Sequence, residues 1–409
     1  VVLAALVGVF AGAHGCTRLR SWGCSLALTG HTHPEVPGFV GDTPFFRIQK
    51  AANAVSTLAI PIYRKSTSAR NEHSREFRGI GTNTPARNEP SSLKKNPMKI
   101  TLRNLLKNRR TTLLNVLGLA VGMATFLLIT DHVQYERSYD QFYEKADEVF
   151  RVNTLWGFEG EEERYATTPP PLAEAIRSDV PEVEAICRVF YWSDFTMRAD
   201  NDLEKVFRET KAFAVDKDFF KVLNYGLIAG DPATAFAEPA SVVLPRSTAV
   251  RYFGEEAVRD GKVLGRQLLG GKDAGTPWAI TGIMEDQPAN SHLQFTMLIS
   301  ASSYPDDLYR NQVWTWNVMH TYLRTKALTP GAREQLQAKL KNIAEAKTLP
   351  NMPMAESNPE LLAKANFDYP LQAITDIHLT SNYLREMRPN GNATYVGLFL
   401  WAAYLVLFM

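Results

Sequence analysis

The sequence predicts an α+β domain carried between two membrane segments, and three observations make that prediction. Arg109 and Arg110 are followed by TTLLNVLGLAVGMATFLLIT, residues 111–130, without one charge. After Arg388 no charged residue appears again, and residues 395–409 read YVGLFLWAAYLVLFM. Between these runs lies a polar stretch, Asp131 to Asn392, whose strand-like and helix-like patterns interleave without a regular βαβ rhythm. That mixture is the pattern of an α+β fold rather than a parallel doubly wound one.

The first run is long enough to cross a bilayer, because about twenty apolar residues at a rise of about 1.5 Å each match the roughly 30 Å hydrocarbon core. Its upstream flank holds Lys94, Lys95, Lys99, Arg103, Lys107, Arg109 and Arg110 and no acid. Lys107, Arg109 and Arg110 therefore set the topology: their end stays in the cytoplasm and the chain after Thr130 is outside. The closing run is a little short for a full span and has no polar flank. It reads as the start of a second transmembrane helix, residues 393–409, cut off part-way. Because the chain begins at Val1 rather than Met, both termini read as edges of a fragment.

Composition narrows the class. A charged fraction of 22% excludes a polytopic bundle, and a net charge of +2 is too small to imply a nucleic-acid partner. The basic residues that matter sit beside the span, where they meet anionic lipid headgroups. Of the cysteines Cys16, Cys24 and Cys187, only the last lies in the body of the chain, so the exported part is expected to fold without disulfides.

Four pieces follow in order. Residues 1–97 open with a short apolar run and continue through a Ser-, Arg- and Asn-rich stretch without period. They are expected to be disordered, or a non-native upstream extension with translation starting at Met98. His31 and His33 have no third ligand nearby, and Cys16 in AHGC lacks the small residue of a lipoprotein cleavage site. Residues 98–131 form an elbow and the first span. Ile100, Leu102, Leu105 and Leu106 alternate with basic residues at near-helical spacing, as in a helix lying in the interface. Within the span Gly118 and Gly122 form a GxxxG pair, the spacing that lets a second helix approach closely.

Residues 132–392 form the exported domain. Residues 216–223 and 245–254 read as short helices, the second stopped by Gly254, and residues 331–347 as an amphipathic helix with Leu336, Leu340 and Ile343 on one face. SVVL, WAITGIM, LQFTMLIS and HTYLRT read as strands, separated by turn clusters at 270–277 and 286–291. The helical pattern of the span continues towards EKADEVFRV, which suggests a lever leading out of the membrane.

Catalytic chemistry is not visible. GRQLLGGKDAG has Asp273 where a phosphate-binding loop places Ser or Thr, and the flanking strands make it a hairpin turn. No GxSxG, HExxH or paired-cysteine motif occurs. His292 follows Glu285 and Asp286 closely enough to suggest an acid–histidine pair. Asp286, Pro288, Asn290, Ser291 and His292 are explained without catalysis as a turn before a strand, and that reading is preferred. His320 and His378 are isolated and read as ordinary fold residues. No metal, cofactor or catalytic residue is assigned.

The segment KITLRNLLKNRRTTLLNVLGLAVGMATFLLITDHVQYERSYDQFYEKADEVFRV resembles the start of FtsX-like, MacB-like ABC transporter permeases, especially the Bacteroidetes type. The resemblance continues in order through DVPEVEAICRVF, AVDKDFFKVL, AGDPATAF, SVVLPRSTAVRYFG, WAITGIMEDQPANSHLQF, TDIHL and GNATYVGLF. It implies a periplasmic core domain of two α+β subdomains in a permease of the bacterial inner membrane. It also implies that ATP hydrolysis resides in a separate ABC ATPase subunit, with a second permease copy, membrane lipid and a periplasmic adaptor as partners. Residues 1–97 have no counterpart in this pattern, and the later spans of such permeases are missing. A two-span sensor with the same ectodomain architecture is the alternative reading.

Overall fold

The computed structural model describes residues 97–408 apart from 159–160, 193–194, 271–274, 304–311, 353–359, 361 and 363, all within the unit Leu93–Met409. The expectations for residues 1–96, with His31, His33, Cys16 and Cys24, lie outside the described residues.

Helix α1, Pro97–Lys107, is separated from α2, Arg109–Arg137, by Asn108, whose φ of −106° and ψ of 52° leave the helical region. At 29 residues, α2 is about 43 Å long, more than the roughly 30 Å hydrocarbon core. Its apolar window is wholly unburied, with Leu113, Leu114, Leu119 and Leu127 pointing outward, as lipid-facing side chains must. The helix outlasts the apolar run by seven residues, Asp131–Arg137, and then stops. The expected continuous lever into EKADEVFRV is therefore interrupted. A turn and a short 3₁₀ segment, Ala146–Glu148, precede strand β1, Val149–Val152.

The exported domain then runs through β2 (Thr154–Phe158), β3 (Glu161–Tyr165), α3 (Leu172–Asp179), β4 (Val183–Trp192), β5 (Phe195–Ala199), β6 (Asp202–Glu209) and β7 (Ala212–Val215). It continues with α4 (Phe219–Val222), β8 (Leu227–Gly230), β9 (Ser241–Pro245), α5 (Arg246–Phe253), α6 (Glu255–Arg259), β10 (Gln267–Gly270) and β11 (Thr276–Met284). The remaining elements are β12 (Met297–Ser300), β13 (His320–Thr325), α7 (Pro330–Ile343), β14 (Asn366–Asp368), β15 (Leu371–Ala373), α8 (Ile377–Thr380) and α9 (Ala393–Phe408).

Twelve strands form one sheet in the order β15-β1-β13-β4-β7-β12-β9-β11-β10-β5-β6, with β8 added beside β11. Among the strand pairs of the described residues, only β7–β12 and β9–β11 are parallel. Strands β14, β2 and β3 form a second, small sheet. The fold is thus α+β, as the interleaved patterns predict.

Why the central strands read as unbroken apolar runs is visible in their burial. All four residues of β1, β7 and β12 are buried, because the sheet is covered on both faces there. One face carries a single cluster built around Cys187, Phe213, Phe219, Tyr225, Leu298 and Tyr322. The opposite face divides in two. Phe150, Ile186 and Leu323 pack under α3 and α7 through Leu172, Ile176, Leu336 and Leu340. Val242, Leu244, Ile280 and Ile299 pack under α5 through Ala249, Tyr252 and Phe253. Two lobes thus share one sheet, and each fully buried Leu, Ile or Phe stabilises it by about 1.5–3 kcal/mol.

Local signals are mostly obeyed. Helix α5 ends at Gly254, whose φ of +86° is costly for any residue with a Cβ. Leu336, Leu340 and Ile343 form the buried face of α7, which starts at a Thr329 cap accepting the Ala332 amide. Gly270 pairs with Thr276 across a β10–β11 hairpin, as the turn reading of GRQLLGGKDAG requires. In LQFTMLIS only the second half is strand. Leu293 and Phe295 are buried outside any strand, so burial, not pairing, accounts for their apolar character.

Candidate functional site

The turn at residues 286–292 lies against the C-terminal end of α2. Ser138 stops the helix, its amide and hydroxyl both donating to the Tyr135 carbonyl at 3.1 and 2.7 Å. Asn290 Nδ2 then donates to the Ser138 carbonyl at 3.0 Å and contacts its Oγ at 2.8 Å. In return the Asp140 amide donates to the Asn290 carbonyl at 3.0 Å. Asp140 adopts a φ of +58°, a left-handed conformation that Asp tolerates better than most residues. That conformation turns its buried carboxylate to accept the His292 amide at 3.0 Å.

His292 carries the connection into the sheet. Its Nε2 lies 2.8 Å from the Tyr322 hydroxyl on β13, and its Nδ1 lies 2.9 Å from Asp140 Oδ1, a close contact rather than an aligned hydrogen bond. Ser291 Oγ reaches Tyr225 at 3.3 Å, and Tyr225 meets Tyr143 at 2.8 Å. Burial pushes the Tyr143, Tyr225 and Tyr322 phenols up, so all three remain neutral hydroxyls. Pro288 closes the turn, its carbonyl accepting from Gln294 Nε2 at 2.7 Å. Asp286 faces elsewhere: it accepts the Ser247 amide at 3.0 Å in the first turn of α5.

The chain running towards α9 joins the same place from the other side. His378 on α8 stacks flat on Tyr139, with ring centres 3.4 Å apart, and its Nε2 lies 2.8 Å from Glu136 Oε2 at the end of α2. Gly391 touches this pair so closely that a Cβ there would sit 2.9 Å from both atoms. Arg388 Nη1 donates to the Ser291 carbonyl at 2.7 Å. Below, Arg151 on β1 is fully buried and holds Glu386 in a two-pronged pair at 2.7 and 2.7 Å, with Gln372 at 2.8 Å and Ser381 at 2.9 Å. A buried guanidinium without its carboxylate is costly, so residues 381–388 are fastened to the sheet.

The two apolar helices pack antiparallel. Phe126 lies 6.2 Å from Tyr404 and His132 6.2 Å from Phe399, centre to centre. A Cβ at Gly122 would touch the Val406 carbonyl at 3.9 Å, whereas Gly118 has open space around it. Lys107, Arg109 and Arg110 are exposed at the elbow, where Arg109 Nε donates to the Leu106 carbonyl at 3.2 Å.

Of the residues singled out from sequence, Asn290, Ser291 and His292 come together and Pro288 shapes their turn, while Asp286 serves α5. The acid beside His292 is neither Glu285 nor Asp286 but Asp140, 152 positions upstream. Asp140, Tyr139, Glu136, Arg151, His378, Glu386 and Gly391 are the parts that sequence reasoning left unassigned. A signal existed, since SYDQF, DQPANSH and TDIHL each carry a part of the joint and stand apart only in sequence. Among the described residues no three His, Cys, Asp or Glu side chains converge to hold a metal ion. What the arrangement can do is mechanical: it ties the domain-side ends of both apolar helices to strands β13 and β1 of the sheet.

A long, apolar, unburied helix is thus fastened to an α+β domain built on a twelve-stranded sheet. The match to a sequence family is specific. The family described as MacB-like periplasmic core domain matches residues 112–343, and the chain belongs to it. Membership makes the chain a MacB-like ABC transporter permease, a membrane protein with a periplasmic domain, and does not favour the sensor reading. The family implies an ABC ATPase partner and a pair of permeases.

Similarity to solved structures is more distant. A domain assigned to a permease protein of Porphyromonas gingivalis is 22% identical with a TM-score of 0.46, over 61% of this chain and 95% of that one. The periplasmic region of MacB from Actinobacillus actinomycetemcomitans is 14% identical with a TM-score of 0.34, over 55% and 90%. The extracellular domain of the noncanonic ABC-type transporter YknZ from Gram-positive bacteria is 12% identical with a TM-score of 0.33, over 53% and 98%. No protein of curated function matches in sequence.

Proposed function

We propose that the chain is a force-transmitting permease subunit: ATP binding in a separate ABC ATPase moves α2, and the joint at its outer end carries that motion into the exported domain. Export or extraction of substrate is the work done. The observation that supports this reading is the fastening of Ser138 and Asp140 to Asn290 and His292, at the end of a helix that continues about two turns past the hydrocarbon. A motion passes through a junction only when the parts on either side have discrete, stiff arrangements.

In this reading the N-terminal side of α2 is cytoplasmic, held by Lys107, Arg109 and Arg110 against anionic lipid in the inner membrane. Residues 98–131 are the elbow and first span, 132–392 the core domain, and residues from 393 the second span. Gly118 and Gly122 offer helix-packing surfaces, and a periplasmic adaptor is a further partner of the exported domain.

The test uses the chain reconstituted with its ATPase. Asn290→Ala removes both contacts to Ser138 while leaving the turn's backbone in place. ATP hydrolysis should continue, while the ATP-dependent change in protease susceptibility of the exported domain should be lost. A variant domain that still responds to ATP like the wild type contradicts the proposal.

A further inference from the structure

The sheet ends at β6, and among the described residues nothing pairs with its outer edge. This edge is long, eight residues, and exposed along most of its length, including Leu203 and Val206 at 55% and 46%. An exposed, partly apolar strand edge presents unpaired N–H and C=O groups to any matching strand, so natural sheets charge, shorten or pair such edges. The opposite end of the sheet is different: β15 has only three residues, and Gln372 within it is buried against Arg151 and Asn153.

Strand β6 reads DLEKVFRE, and its charges are complementary to themselves. In an antiparallel pair of two β6 strands centred on Val206, Glu204 faces Arg208 of the other strand, twice, with Val206 against Val206 between them. All three side chains lie on one face, since positions two apart share a face. The other face, with Phe207 packed on Tyr252 and Glu209 hydrogen-bonded to Tyr252, stays on α5. Register matters: centring the pair on Lys205 sets two lysines against each other, and centring it on Phe207 sets Glu204 opposite Thr210 and Lys205 opposite a Glu209 already held by Arg251 and Tyr252. We propose that β6 is a contact surface between two copies of this chain, joined edge to edge about Val206. The inference rests on the pairing of permeases that the family implies, and it assigns that pairing a place in the exported domain.

A cysteine at the centre of such a pair meets its own copy. Directly opposed Cα atoms in an antiparallel pair lie about 4.5–5.5 Å apart, within disulfide range. The experiment places Val206→Cys in the full chain in lipid nanodiscs, with Cys16 and Cys24 changed to serine and Cys187 left in place, buried. Mild oxidation should link more than half of the chains into a covalent dimer, and Leu203→Cys, out of register, should link at least tenfold less. Changing Glu204→Arg should abolish the Val206→Cys link, and adding Arg208→Glu should restore it. Particle mass is measured without oxidation in parallel. Dimeric particles without the Val206→Cys link overturn the β6 contact and leave the pairing of permeases standing, while monomeric particles overturn both. Equal linking at positions 203 and 206 also overturns it, because chance collision then explains the link.

Discussion

Arg151 shows how one side chain can hold a segment that has no regular structure of its own. Residues 381–388 contribute no strand, and Arg385 within them takes a φ of +62°, yet they are fixed because Glu386 and Ser381 hydrogen-bond both terminal nitrogens of a buried guanidinium. Arg151→Met leaves Glu386 without its partner and should lower stability by about 3–5 kcal/mol, measured by thermal or denaturant unfolding. Arg151→Met with Glu386→Leu should recover most of the loss, since removing both charges also removes the desolvation penalty. His320 on the neighbouring strand gives a pH prediction. Burial, with Arg151 and His292 adding to it, pushes its imidazole down to about 3 from an ordinary 6.5. The folded chain therefore binds fewer protons than the unfolded chain between those values. Its stabilising contribution is complete above pH 6.5 and is lost as pH falls towards 3, by up to about 1.4 kcal/mol per pH unit. His320→Gln should flatten that slope in unfolding measurements between pH 7 and 4.5.

At the scale of elements, the two glycines of α2 have unequal surroundings. Gly122 lies on the Val406 carbonyl and Gly118 on open space, so the GxxxG spacing does not describe one continuous seam within this helix pair. Gly122→Leu should push α9 away and lower the yield of a disulfide between cysteines at 126 and 404 several-fold, while Gly118→Leu should leave that yield unchanged. The span itself was legible because lipid demands a long uncharged run, and core helices of water-soluble domains rarely go that far without a charge. The strands β9, β11 and β13 were legible for a related reason, since burial on both faces leaves an apolar segment bounded by turns. The limits of α4 were not: only Phe219–Val222 is helical within residues 216–223, because Phe219, Phe220 and Val222 are fixed by the core rather than by helical continuity. The joint was legible only in pieces. A hydrogen bond between positions 140 and 292 leaves no periodicity in either segment, so the turn was visible and its partner was not.

The whole molecule has one mechanical theme. The sheet's central strands carry the burial that makes the domain stiff, and both apolar helices are fastened to β1 and β13, the second and third strands from its β15 end. His292 reaches Tyr322 on β13, and Arg151 on β1 holds the segment ahead of α9. Around this stiff body the backbone break at Asn108, between α1 and α2, is the natural place for bending at the end of α2 away from the domain. The central claim is therefore that α2 and the exported domain move as one piece. Pulsed electron-spin distance measurements test it most directly, with one label on the lipid-facing side of α2 at position 121 and one in the domain at position 334. These are recorded with and without ATP in the presence of the partner ATPase, alongside domain-to-domain distances between the two copies. The account predicts a narrow α2-to-domain distance that ATP leaves unchanged, while the distance between the two domains shifts. An α2-to-domain distance that broadens or moves with ATP, with the two domains staying in place, would contradict it.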